Sequence, residues 1–327
     1  MNEPKAFCNY NQLLAKMQER GMELGERDAA LNALKRIGYY RLSGYSYPYR
    51  AVRLSEGDDR TTLLDEFVEG TTLQEILSLY RFDERLRAVL LEGLQIVETA
   101  LGAFVAHALG KRDPLAHLDA SHLNSTACNR PGRSPGFTAY EDWLRRYADL
   151  TPKSDREEYV KHHEQNYGGQ IPIWAAVQFL DFGSLTWLFD FLRIDERNSV
   201  ASQMGLKKKA PDLLHSWLLA VGALRNHCAH GNRVWNRTVY RPPGRISPDS
   251  VGEQLHHLHR LEEGKLNRLY PLAALIAYMV ITVSPSSEWP MTFKTQIKKL
   301  EKQTRFRPEH AMGFPEGWEN ESLWNRG

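Results

Sequence analysis

The 327-residue chain has no P-loop, no G-x-G-x-x-G turn, no H-E-x-x-H helix and no C-x-x-C pair. The signatures of nucleotide hydrolysis, dinucleotide binding and zinc proteolysis are therefore missing. Cysteine is scarce: Cys8, Cys128 and Cys228 are odd in number and far apart, which argues against a disulfide framework and suits a reducing compartment. His162 and His163 are adjacent, and His256, His257 and His259 have no companion cysteines at metal-site spacing, so no metal and no cofactor is expected. The opening MNEPKAFCNYNQLL has no apolar signal core, and the longest apolar run, near Tyr270 to Val283, is short for a bilayer. The expectation is a soluble cytoplasmic protein with no membrane partner. A surplus of charge is lacking too. Lys and Arg number 42 against 40 Asp and Glu, for a net +2, so any contact with nucleic acid must come from local clusters. With 42% hydrophobic and 25% charged residues, the composition is that of one large or two modest globular domains.

What is present is helical periodicity. Residues 9–36 read as one or two short helices, with Leu13, Leu14 and Met17 at helical spacing and Gly38 as a stop. The stretch YYRLSGYSYPYR, Tyr39 to Arg50, holds five tyrosines and two arginines. These side chains either stack on unpaired bases or pack the N-terminal segment onto a helical core. After an acidic loop at Glu56 to Asp59, Thr72 and Glu75 form a capping box that opens a long helix ending at Gly110, with Leu86, Leu90, Val97, Leu101, Phe104 and Ala108 on its apolar face. Residues 118–136 read as a loop, and Asp142 to Glu164 as exposed charged helices. PIWAAVQFLDFGSLTWLFDFL, from Pro172, reads as a buried helix pair broken near Gly183, with Asp181 as an interruption. Asp195 is expected to cap the next helix. A further core helix spans Leu269 to Val283. The segment Lys294 to Arg307 carries six basic residues against Glu301, interrupted by Phe293, Ile297 and Leu300; it either binds RNA or docks with its charges in water.

The best-defined helix starts at Pro211 and stops at Gly231, with proline at the entrance and glycine at the exit. Leu214, Trp217, Leu218, Val221, Leu224 and Cys228 form its apolar stripe. At about 100° per residue, Arg225 falls roughly 40° from the stripe centre and His230 nearly opposite. A guanidinium so placed needs a partner, and Glu98, between Val97 and Leu101 on the long helix, is the candidate. The run RNHCAHGNRVWNR, Arg225 to Arg237, sets Arg225, then Asn226, then His230 five positions after the arginine, an arrangement suited to RNA phosphodiester chemistry. Around them, Arg225 to Arg245 holds five arginines and no acidic residue. Arg233, Arg237 and Arg241, with Lys207 and Lys208 before Pro211, are the candidate RNA-binding residues. Pro242 and Pro243 prevent one continuous helix, so the fourfold arginine spacing does not guarantee one face.

Five stretches carry a family resemblance: IGYYRLSGYSYPYR at 37–50, VETALGAFVAHALG at 97–110, PIWAAVQFLDFGSL at 172–185, RNHCAHGNRVWNR at 225–237 and MGFPEGW at 312–318. Together they resemble the Abi-like family of bacterial abortive-infection proteins, the AbiD/AbiF type, whose core belongs to the HEPN superfamily of helical ribonucleases. The HEPN pattern of Arg, a polar residue, three variable positions and His maps onto Arg225, Asn226 and His230. The resemblance implies an all-α fold with a HEPN-like multi-helix core at 71–285, an N-terminal segment at 1–70 and a basic C-terminal segment at 286–327 packed on it. It also implies antiphage defence by metal-independent RNA cleavage through 2′-hydroxyl attack, in a homodimer whose motifs face one cleft. The RNA partner would be cellular, phage or a cognate non-coding RNA. Two alternatives stand beside this: a non-cleaving RNA-binding partner in a defence or toxin–antitoxin unit, and a purely structural module, which would not require the acid-free arginine segment.

Overall fold

The computed structural model describes residues 6–54, 61–151 and 157–325. The acidic loop at Glu56–Asp59 lies outside the described residues, as do 152–156 of the charged region. The fold is mainly helical, as expected, with one small antiparallel hairpin that the sequence reading did not foresee. The chain clusters into two compact units, Met1–Leu86 with Gln296–Pro308, and Arg87–Thr295 with Glu309–Gly327. These divisions fall inside two helices.

In the first unit, α1 (Tyr10–Glu19) begins with an Asn9–Gln12 capping box, α2 (Arg27–Ile37) is capped by the Glu26 carboxylate, and Gly38 at φ 86° turns the chain into α3 (Tyr39–Ser46). The hairpin follows, β1 (Arg50–Leu54) against β2 (Thr61–Phe67), with Val52 opposite Leu63. Asp65 on β2 pairs with both Arg20 and Arg50. The tyrosine-rich stretch divides into buried and exposed rings. Tyr45 and Tyr49 are buried, and the Tyr45 hydroxyl donates to Asp83 at 2.7 Å, whereas Tyr40 is 92% exposed. Arg305 grips Glu75 with Nε and Nη2 at 3.0 and 2.7 Å and lies over the Tyr49 ring.

The long helix α4 (Leu73–Gly110) has the anticipated capping box: the Glu75 N–H donates to Thr72 Oγ1 and the Thr72 N–H to the Glu75 carboxylate, both at 3.2 Å. By length and composition it could cross a membrane, so the Tyr270 to Val283 run is not the longest apolar element. A single face of it, with Leu94, Val97, Leu101, Val105 and Leu109, is fully buried. The 118–136 loop contains local helical turns, including α5 (Ser125–Cys128), because Asn124 and Asp119 cap them. α6 (Ala139–Leu150) is less exposed than expected, since Trp143 is wholly buried; α7 (Glu158–Asn166) and α8 (Ile173–Ala176) follow. The break in the apolar segment precedes α9 (Phe182–Phe191), where Asp181 is no interruption but the N-cap, accepting the Ser184 N–H at 2.8 Å. α10 (Ile194–Gln203) has Arg193, not Asp195, at its cap: the Arg193 N–H bonds Glu196 at 3.0 Å and Asp195 lies in the first turn.

α11 (Pro211–Ala229) packs against α9, α10 and α12 (Leu269–Val283). Gly222 allows a close approach to α9, since a Cβ there would lie 3.0 Å from the Phe182 ring. In α13 (Trp289–Gln303) Phe293, Ile297 and Leu300 are fully buried, so the basic helix docks through its apolar stripe; α14 (Pro308–Ala311) follows.

Candidate functional site

The end of α11 is held by two backbone hydrogen bonds. The Asn232 N–H reaches the His227 carbonyl at 2.9 Å and the Gly231 N–H the Cys228 carbonyl at 3.0 Å, a Schellman closure that requires the left-handed Gly231, φ 64°. His230 is the C-cap, its N–H still bonded to the Asn226 carbonyl at 3.0 Å. The helix therefore does not unwind before the histidine. Arg225 and His230 stay about 140° apart and about 7.5 Å along the axis.

Consecutive residues on this helix consequently face different spaces. Arg225 lines a cavity of about 980 Å³, with Glu98, Gln95, Thr99 and His107 of α4 and Trp174 of α8. The expected partnership is present: Arg225 Nε lies 3.8 Å from Glu98 Oε2. Burial raises the Glu98 pKa, with Arg225 opposing it and Asp181 adding to it. The guanidinium meets Glu98 through Nε, and a planar guanidinium is the type of donor array that matches a phosphate.

Asn226 opens onto a second cavity, of about 360 Å³, shared with His227, Arg133, Arg237 and Arg241, with no acidic side chain among the described residues that line it. Burial, then Arg237 and His230, lower the His227 pKa, and the Asn232 side-chain amide sits 3.4 Å from His227 Nδ1. His230 is exposed and lines neither cavity. The structure thus brings Asn226, Arg237 and Arg241 together, and separates them from Arg225.

The other candidates are dispersed. Arg233 is half-buried and lines neither space. Lys207 and Lys208 line a third cavity with Asn198 and Ser202, and Lys208 Nζ pairs with Asp249 at 2.7 Å. Arg245 faces Glu263 at 3.6 Å. Among the described residues, no cluster of three or more His, Cys, Asp or Glu side chains has the geometry to hold a metal ion.

Sequence reasoning missed the cluster behind the site. Asp190, buried on α9, meets Arg130, Arg197 at 3.5 Å and His215 at 3.6 Å, and Arg197 also pairs with Asp212 of α11 at 2.9 Å. Burial and the neighbouring arginines push the His215 pKa down to about 4, so the imidazole stays neutral. Asp190 sits in an unbroken apolar run, where a lone carboxylate signals a buried ion pair; its partners carry no such signal.

Compared with known protein families, the chain matches the Abi-like protein family over residues 32–236, a span that includes α4, α9 and all of α11. The chain belongs to the Abi-like family. Membership supports abortive-infection defence as the general role of this Abi-like protein. No curated protein and no solved structure matches it. The matched span of the Abi-like chain ends at Asn236, so Arg225, Asn226, His230 and Arg233 lie inside it, and Arg237 and Arg241 just beyond.

Proposed function

We propose that this Abi-like protein is a metal-independent endoribonuclease of the HEPN type. A base takes the proton of a ribose 2′-hydroxyl, the oxygen attacks the adjacent phosphate, and the products are a 2′,3′-cyclic phosphate and a 5′-hydroxyl end. His230, at the end of α11, moves the proton. Arg225 stabilises the charge developing on the phosphoryl oxygens, and Asn226 orients the 2′-hydroxyl. The observation that carries this reading is the fixed, solvent-facing end of α11, with Asn226 and His230 exposed beside the acid-free Arg237–Arg241 surface. Since Arg225 and His230 diverge within one chain, the working site takes one from each chain of a homodimer.

The Arg225–Glu98 pair favours a second reading, in which Arg225 is structural and the protein binds a specific RNA, as partner in a defence or toxin–antitoxin unit, without cutting it. Incubating the purified protein with cellular RNA in EDTA and sequencing the ends separates the two. Cleavage is expected to persist and leave cyclic-phosphate ends, and His230→Ala is expected to lose about 10²- to 10⁴-fold in rate with RNA affinity nearly unchanged. Activity that needs added Mg²⁺ and leaves 3′-hydroxyl ends refutes the chemistry.

A further inference from the structure

The cavity beside Asn226 has two kinds of wall. One is apolar and aromatic, with Trp187 of α9 and Tyr240; the other is cationic, with Arg133, Arg237 and Arg241. Each wall is fixed by contacts of its own. The Arg133 and Ser134 N–H groups both donate to Asp142 Oδ2, at 2.5 and 3.0 Å, and Gly132 is required there because a Cβ would lie 2.4 Å from that oxygen. This clamp sets the Arg133 guanidinium 4.6 Å from the centre of the Trp187 ring. On the other side, Val234 and Trp235 are buried, Asn236 takes φ 49° with its side chain accepting from Arg268, and the Val239 N–H bonds the Asn267 carbonyl at 2.7 Å. The next residue, Tyr240, is 98% exposed. A ring left in water on a pinned backbone, between Arg237 and Arg241, contributes nothing to the core.

We infer that this cavity receives one unpaired nucleotide of an RNA strand. Its base stacks in the aromatic part, against Tyr240 and the Arg133–Trp187 pair, and its phosphate is met by Arg237 and Arg241. Three observations select this occupant. The aromatic faces suit any base, since every base presents a π-face. Among the described residues, the cationic lining has no carboxylate to repel a phosphate. The volume, about 360 Å³, lies at the small end of ligand pockets, which suits a single nucleotide and not a helix or duplex. The inference rests on the RNA reading above and adds to it a seat for the nucleotide next to Asn226, reached from the same α11 terminus.

The test is anisotropy binding of a fluorescent single-stranded oligoribonucleotide carrying 2′-O-methyl groups, which cannot undergo 2′-hydroxyl attack, so that binding is read apart from cleavage. Tyr240→Ala is expected to weaken binding by roughly 5- to 100-fold with the salt dependence unchanged, and Tyr240→Phe to restore it. Ala223→Trp, at an exposed position lining the cavity, fills the space and should reproduce the loss. Melting temperatures of these exposed-site variants should match that of the wild type. If Tyr240→Ala and Ala223→Trp bind like the wild type, the inference is overturned while the nuclease reading stands. Tyr240-dependent binding without any cleavage of natural RNA leaves the inference standing and removes the nuclease reading. A free nucleoside 5′-monophosphate that binds as tightly as the oligonucleotide overturns the assignment to a strand, and no binding of either probe overturns the inference altogether.

Discussion

A site assembled from two chains makes a quantitative prediction for mixed proteins. Arg225 lies in the cavity with Glu98, whereas His230 is an exposed helix cap that lines no part of it, and the closed turn at Gly231 leaves no slack to bring them together. In a two-fold homodimer the two sites are equivalent. Arg225→Ala and His230→Ala homodimers each have two broken sites and should be inactive. A mixed dimer has one site lacking both residues and one with both intact. At equal amounts and free exchange, about half the dimers are mixed and half of their sites work, so recovered activity should reach about a quarter of the wild-type level. The assay is cleavage of a fluorescent RNA after subunit exchange, with native mass measurement to verify mixing. Removing Arg225 also frees Glu98, whose pKa burial already raises; that carboxyl can take up a proton, so folding should survive. No recovery in verified mixed dimers would refute the shared site. His107, which lines the Arg225 cavity, would then be the histidine to replace, and a strictly monomeric but active protein would refute it outright.

Arg237→Ala and Arg241→Ala should weaken RNA binding and flatten its salt dependence by about 0.7 in log–log slope each, measured by titration across salt; an unchanged slope means those arginines do not touch phosphate. The buried His117 ring, with no hydrogen-bond partner on either nitrogen among the described residues, has its pKa lowered to about 4 by burial. Since the unfolded ring titrates near 6.5, its contribution to stability is complete above that pH and is lost as pH falls toward 4. The amount is about 3 kcal/mol. His117→Phe should flatten the acid side of a denaturation series, and an unaltered pH dependence would count against a neutral buried ring. Gly93 lies under the Trp289 indole, where a Cβ would come within 2.4 Å of the ring, so Gly93→Ala should cost about 1–3 kcal/mol; an unchanged melting curve would show that the contact yields freely.

The features legible in the chain are those set by short-range geometry. Pro211 and Gly231 bound α11 because one tolerates a missing donor and the other a left-handed turn. Thr72 and Glu75 start α4 because each supplies what the other's backbone lacks, and the apolar stripes follow from 3.6 residues per turn. Even the Arg225–Glu98 pair was readable, since a charge beside a buried face needs a partner and few were on offer. Other outcomes required tertiary structure. Asp181 turned from an interruption into a cap only because the helix starts after it, and Asp190 found its arginines on separate elements. Tyr45 was committed to the core by Asp83, while Tyr40, five residues earlier, stayed in water. The cavities divide residues adjacent in the chain, with Arg225 on one side of α11 and Asn226 on the other, and join Arg133, Trp187 and Tyr240 from separate segments. Local periodicity assigns each residue a face of its own helix, but which distant faces meet is decided by the packing of the whole core.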